Sequence, residues 1–200
     1  MGKIRWYLFA ALSLCIGIYP IVYLLVDPSF GLISTKSTGL WEQPFYRLAF
    51  FSHILFGGLT LLTGWSQFSD RWRKRHLSLH RLLGKVYLLA MLPSALAGIY
   101  LSFYATGGLV AGLGFFLLGI VWLFSSLAAY GSIRNGDVDR HAYWMVFSYA
   151  ACFAAVTLRL WLPLLTALFE LAFVPAYQIV AWLCWVPNLL FAWFYTARRT

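Results

Sequence analysis

Charge is scarce in this chain. Only 10% of its 200 residues are Asp, Glu, Lys or Arg, and the acids number six, where soluble domains carry about 25%. A soluble fold is thereby excluded, because 62% of the residues are hydrophobic and too little polar surface exists to cover them. Cysteine is sparse as well. Cys15, Cys152 and Cys184 each lie inside an apolar run, so there is neither a disulfide framework nor a CxxC metal motif, and the three read as packing residues. The chain has no Gly-rich phosphate loop, no GxSxG elbow, no HExxH and no CxxCH for covalent haem. No acid sits in the middle of an apolar run, which argues against a proton-driven pump. No internal repeat of the transporter kind is visible.

What the chain has instead is long apolar runs and aromatic residues, the latter 20% of the total. Trp and Tyr suit the headgroup level of a bilayer, where one end of the ring is apolar and the other wet. A hydrocarbon core of about 30 Å takes roughly 20 residues of helix. The runs predict an all-α polytopic membrane protein, a six-helix bundle forming a single membrane domain, with helices at about 6–26, 48–68, 79–104, 109–130, 141–162 and 173–196. The first run is too long for a signal-peptide core and lacks a small-residue cleavage site after it, so it reads as a retained anchor. A loop follows from Asp27 to about Arg47, holding Pro28, Gly31, Gly39 and Pro44. Pro20, Pro93 and Pro187 are set to kink their helices, and Pro163 to end the fifth.

The net charge of +9 is not a nucleic-acid signal, because it lies in short loops beside apolar runs. It is a topology signal and an attraction to anionic lipid. The sharpest stretch is DRWRKRHLSLHR, Asp70 to Arg81, with five Lys and Arg against one acid. The N-terminus, this second loop, the fourth loop and the C-terminal Arg198-Arg199 hold nearly all the cations. The first loop holds Lys36 and Arg47, and the third and fifth hold none. Six helices with both termini on the cytoplasmic side of the inner membrane satisfy that alternation.

Polar residues inside hydrocarbon are expensive and turn inward, and positions i, i+4, i+7 and i+11 share one helix face. On that template the second helix reads His53, Gly57, Thr60, Gly64, Gln67. The third reads His80, Gly84, Tyr87, Met91, Ser94, Gly98. The fifth reads His141, Met145, Ser148, Cys152, Ala155, Arg159, and the sixth Gln178, Ala181, Trp185, Asn188, Ala192. Helix packing accounts for the small residues in these stripes. It does not require the histidines or Arg159. Arg159 follows His141 by 18 residues, about 27 Å of helix axis. Two clusters are expected: Gln67, His80, Arg81, Arg140 and His141 near the inner face, with Asn188 beside them, and His53 with Arg159 near the outer face.

Three chemistries fit the inner cluster. His80 and His141 are an axial pair for one b-type haem, with Gly84 making room for the ring and Arg81 and Arg140 holding its propionates. The same cationic collar, with Lys85 and Arg71 to Arg75, suits a quinone, phosphate or anionic lipid headgroup. His76, His80 and His141 supply three ligands for zinc, though no carboxylate is placed as a base.

The strings HILFGGLTLLTGWSQF (His53 to Phe68) and RWRKRHLSLHRLLGKVY (Arg71 to Tyr87), then GDVDRHAYWM, TLRL around Arg159 and WVPN ending at Asn188, resemble domain-of-unknown-function family 2306 of bacterial membrane proteins. The resemblance runs from about His53 to Asn188. It implies a multi-pass membrane protein with no established activity, and recurrent positions at His53, Gln67, His80, Arg81, Gly84, Tyr87, His141, Arg159 and Asn188. The layout is also loosely similar to two-haem cytochromes of the b561 type. It differs in lacking a fourth helix-borne histidine, since Gln67 stands 14 residues after His53. The expectation is a small redox subunit binding one haem or a quinone. The alternative is a non-enzymatic protein that binds a lipid or anion, or supports a membrane partner subunit.

Overall fold

The computed structural model describes residues 3–25 and 31–198. Among them there is no strand. Six helical spans are long and apolar enough to cross a bilayer: Ile4–Leu25, Pro44–Phe68, Leu77–Ser102, Gly108–Arg134, Val138–Leu168 and Phe173–Ala197. The expected end of the first span at Val26, the loop residues Asp27 and Pro28, and the terminal Arg199 lie outside the described residues.

Several boundaries move, each for a local reason. The second span starts at Pro44 rather than near Leu48, because a proline in the first helical turn gives up only an N–H that has no partner there. The fourth runs through Gly131 to Arg134. Glycine does not stop a helix whose backbone has no water to turn to. The chain then reverses over Asn135 and Gly136, the latter at φ +79°. The Asp137 carboxylate caps the fifth span by accepting from the Arg140 N–H at 2.9 Å. His80 and His141 therefore each sit at the fourth residue of a helix, one turn in from its start. The turn between the third and fourth spans uses Gly107 and Gly108 at φ +99° and +68°, a backbone only glycine adopts without strain.

Proline does not end the fifth span. Pro163 lacks an N–H, but its carbonyl still accepts, and the chain continues as a wide turn over Leu164–Leu168. The span is interrupted earlier, at Phe153, where nothing in the sequence accounts for the break. The sixth span breaks at Cys184 and Trp185, just before Pro187. Here the cause is plain: Pro187 cannot donate to the carbonyl four residues back.

The chain forms two compact units, Met1–Ser94 and Ala95–Thr200, whose boundary falls inside the third span. In the first unit, the first and second spans cross at glycine. A Cβ on Gly58 would lie 2.5 Å from the Gly17 carbonyl oxygen and 3.0 Å from Pro20, and one on Gly17 would lie 2.8 Å from Leu62. In the second unit, a Cβ on Gly114 of the fourth span would lie 2.8 Å from the Ala181 carbonyl oxygen of the sixth. The fully buried side chains include Ser13, Thr60, Ser94, Ser125, Ser126 and Ser148, while Leu89, Leu96, Leu109, Phe124 and Phe191 are exposed. That inversion of the soluble pattern suits a protein whose surroundings are lipid.

Replacing Gly58 by Val should cost about 1–3 kcal/mol, the usual penalty of overpacking. It should be read as a lower melting temperature in detergent. Gly131→Ala, whose Cβ would meet nothing within 4 Å, should leave that temperature unchanged. Equal losses from both would refute the close crossing.

Candidate functional site

The stripes of the second and third spans meet within the first unit. Nδ1 of His53 lies 2.9 Å from the Ser94 carbonyl oxygen. A carbonyl can only accept, so the ring donates through Nδ1, and its tautomer is set by that bond. The Ser94 hydroxyl donates back to the His53 carbonyl at 2.8 Å. Gly57, one turn on, leaves room for this pair: a Cβ there would stand 3.0 Å from the Ser94 oxygen. Farther along, Gln67 and Gly84 adjoin, with a Cβ on Gly84 lying 3.7 Å from Gln67 Oε1. The Gln67 amide donates to Ser66 Oγ at 3.3 Å. Gly84 is one turn beyond His80 on the third span. His80 is half-buried and Arg81 exposed.

In the second unit, His141 repeats the arrangement. Its Nδ1 donates to the Ala129 carbonyl of the fourth span at 2.9 Å, and its Nε2 makes no hydrogen bond among the described residues. Two turns on, the hydroxyls of Ser148 and Ser126 meet at 2.7 Å, buried between the same two spans. Sequence reasoning found His141 and Ser148 but not their partners, because the fourth span carries small residues all round and shows no single stripe. Arg140 is exposed. Arg159 donates to the Ala155 carbonyl of its own helix at 2.8 Å.

Asn188 corrects the expected clustering. Its amide donates to the Ala150 carbonyl at 3.2 Å, to Thr157 Oγ1 at 3.2 Å and to the Cys184 carbonyl at 2.9 Å. Ala150 is nine residues beyond His141, about 13 Å of helix, so Asn188 belongs to the middle of the fifth span and not to its beginning. Thr157 Oγ1 also donates to the Cys184 carbonyl. Two side chains thus serve one carbonyl at the break in the sixth span, the repair that an interrupted membrane helix requires. Among the described residues no three His, Cys, Asp or Glu converge.

One feature that the sequence did not single out is a cavity of about 300 Å³ in the first unit, at the basic segment. Its walls include Trp6, Trp65, Trp72, Arg71, Arg75 and His76. Trp6 and Trp65 meet edge to face at 5.5 Å. The Trp65 indole N–H is buried and has no acceptor among the described residues. Ser69 caps the helix Asp70–Arg75 by accepting from the Trp72 N–H, which fixes Trp72 on the wall. A tryptophan near the start of the first apolar run and another near the end of the second were the available signal. Between those two spans Lys36 is half-buried, and burial holds its amine below the usual lysine range.

The shared acceptor makes a test of the Asn188 node. Asn188→Ala and Thr157→Val should each cost about 0.5–1.5 kcal/mol. Because both donate to the Cys184 carbonyl, the double variant should depart from the sum of the singles. Strict additivity in denaturation of the purified protein would show that the two do not act on one group.

No curated protein and no solved structure matches the chain. Residues 50–196 match the family described as predicted membrane protein (DUF2306). That range takes in five of the six spans and every candidate residue above except Trp6. The chain is a multi-pass membrane protein, and it belongs to the DUF2306 family of predicted membrane proteins.

Proposed function

We propose that the protein is a small redox subunit of the cytoplasmic (inner) membrane, binding one b-type haem or a quinone, with both termini on the cytoplasmic side. The observation that carries this reading is the state of His141. With Nδ1–H committed to the Ala129 carbonyl at 2.9 Å, the neutral ring presents its lone pair at Nε2. That is the form in which imidazole ligates a metal, and a main-chain carbonyl behind the ring is a usual way to orient such a ligand. His53 is held in the same way.

The donor set suits haem iron or a quinone carbonyl: neutral imidazole nitrogen is a ligand for the first, and guanidinium groups suit the carboxylates of the propionates or the quinone headgroup. Haem, when bound, supplies reversible one-electron chemistry. The chain's own share is to fix the imidazole's tautomer and to offer Arg81 and Arg140, each next in sequence to a histidine and exposed. The sequence nominates His80 for the second axial position. A second, non-enzymatic reading is favoured by the exposed Arg71, Lys74, Arg75, Arg81 and Lys85: an anionic lipid, or a membrane partner subunit, held at that end.

The first test is an optical spectrum of the purified protein, expressed with haem supplied, oxidised and then dithionite-reduced. The expected result is a sharp Soret band with a reduced α band, lost in His141→Ala and in His80→Ala. A featureless visible spectrum from folded protein, with no bound quinone on extraction, overturns the redox reading. Orientation has its own measurement. A C-terminal green-fluorescent fusion should fluoresce and a C-terminal alkaline phosphatase fusion should be inactive, and the opposite pattern would reverse the topology.

A further inference from the structure

We propose that the cavity walled by Trp6, Trp65 and Trp72 seats the phosphate-bearing headgroup of an anionic phospholipid. This site lies within the first unit and does not depend on the redox reading. It narrows the lipid-binding alternative to one place and one chemistry.

Four observations lead to it. First, the Trp65 indole N–H is buried with no acceptor among the described residues. A buried donor left without a partner is costly; Trp65 is on the cavity wall, and a small turn of its indole toward a phosphate or ester oxygen there would supply the partner. Second, the cations on the wall are unspent. Asp70 is the one acid of the segment, and its carboxylate is taken by Arg73 at 3.0 Å. Arg71 and Arg75, which line the cavity, have no ion pair among the described residues. Guanidinium forks match phosphate oxygens two at a time. Third, no acid lines the cavity, so nothing there repels an anion. Fourth, the cavity stands at the ends of two spans. Trp6 opens the first span and Trp65 lies in the last turn of the second, the level at which a bilayer's phosphates sit.

The apolar walls decide between a lipid and a free anion. Inorganic phosphate would answer the arginines and leave the indole faces against empty space. The glycerol ester region of a phospholipid fills both halves, with its phosphate at Arg71 and Arg75 and its ester oxygens and first methylenes among the indoles.

The test titrates the full-length protein in neutral detergent with short-chain phosphatidylglycerol, with phosphatidylcholine of the same chain length and with inorganic phosphate. Phosphatidylglycerol should bind more tightly than phosphatidylcholine, and inorganic phosphate at equal concentration should not displace it. Arg71→Gln and Arg75→Gln should each weaken binding about tenfold, the loss of one charge-assisted contact. Lys74→Gln removes the same charge from an exposed residue that does not line the cavity, and should cost no more than about fivefold, the general attraction of one surface cation to anionic lipid. Trp65→Phe changes no charge and should still cost about fivefold through the lost N–H donor. All variants should keep the wild-type melting temperature. Unchanged binding in Trp65→Phe, or equal losses from Lys74→Gln and Arg71→Gln, would overturn the site as unspecific charge attraction. Displacement by inorganic phosphate would overturn the lipid in favour of a free anion.

Discussion

A carbonyl freed from its helix inside a bilayer has no water to turn to, and the second unit is organised around one such group. Pro187 cannot donate to the Leu183 carbonyl, the sixth span breaks at Cys184 and Trp185, and the Cys184 carbonyl, inside the break, takes donors from Thr157 and Asn188. The same Asn188 amide reaches the Ala150 carbonyl on the near side of the break in the fifth span. A break that would be a surface kink in a soluble helix thus ties two spans to each other. Without those donors the break would leave an unpaired carbonyl in hydrocarbon, at a cost of several kcal/mol.

Close backbone approach is the second constraint. Between lipid and protein interior there is little hydrophobic difference, so association rests on packing and on bonds across helices. Gly17 and Gly58 let two spans touch in the first unit, and Gly114 does so against Ala181 in the second. Beside buried side chains such as Leu61, Tyr87, Met91 and Trp122, serine and threonine in the interior bond their own helix carbonyls, as Ser125 does to Val121 and Thr63 to Leu59. Large apolar residues are left to face outward, where lipid is their solvent.

The spans were legible because about twenty consecutive apolar residues permit little else. Boundaries differ at Pro44, which opens a helix because its first turn needs no N–H, and at Gly131 and Pro163, which are helical where the sequence suggests a loop and a stop. The stripes on the second and third spans were legible from spacing, but not which residues meet: His53 and Gly57 come to Ser94, and Gln67 adjoins Gly84. What spacing could not give was the partner on an element with no stripe. Ala129 and Ser126 receive His141 and Ser148, yet the fourth span's small residues surround it. Nor could it give Asn188, whose depth depends on a break that resets the helical phase. The cavity between Trp6 and Trp65 joins residues far apart in the chain, and only the fold brings them together.

His141 holds two helices together with one nitrogen and leaves the other unengaged among the described residues. The Nδ1 proton is held on the Ala129 carbonyl, which can only accept. The bond that joins the fourth and fifth spans therefore uses Nδ1 alone and leaves Nε2 outside it. Division of labour within a single imidazole ring separates what holds the scaffold from what remains available to chemistry: the joint between the two helices is complete without the second nitrogen.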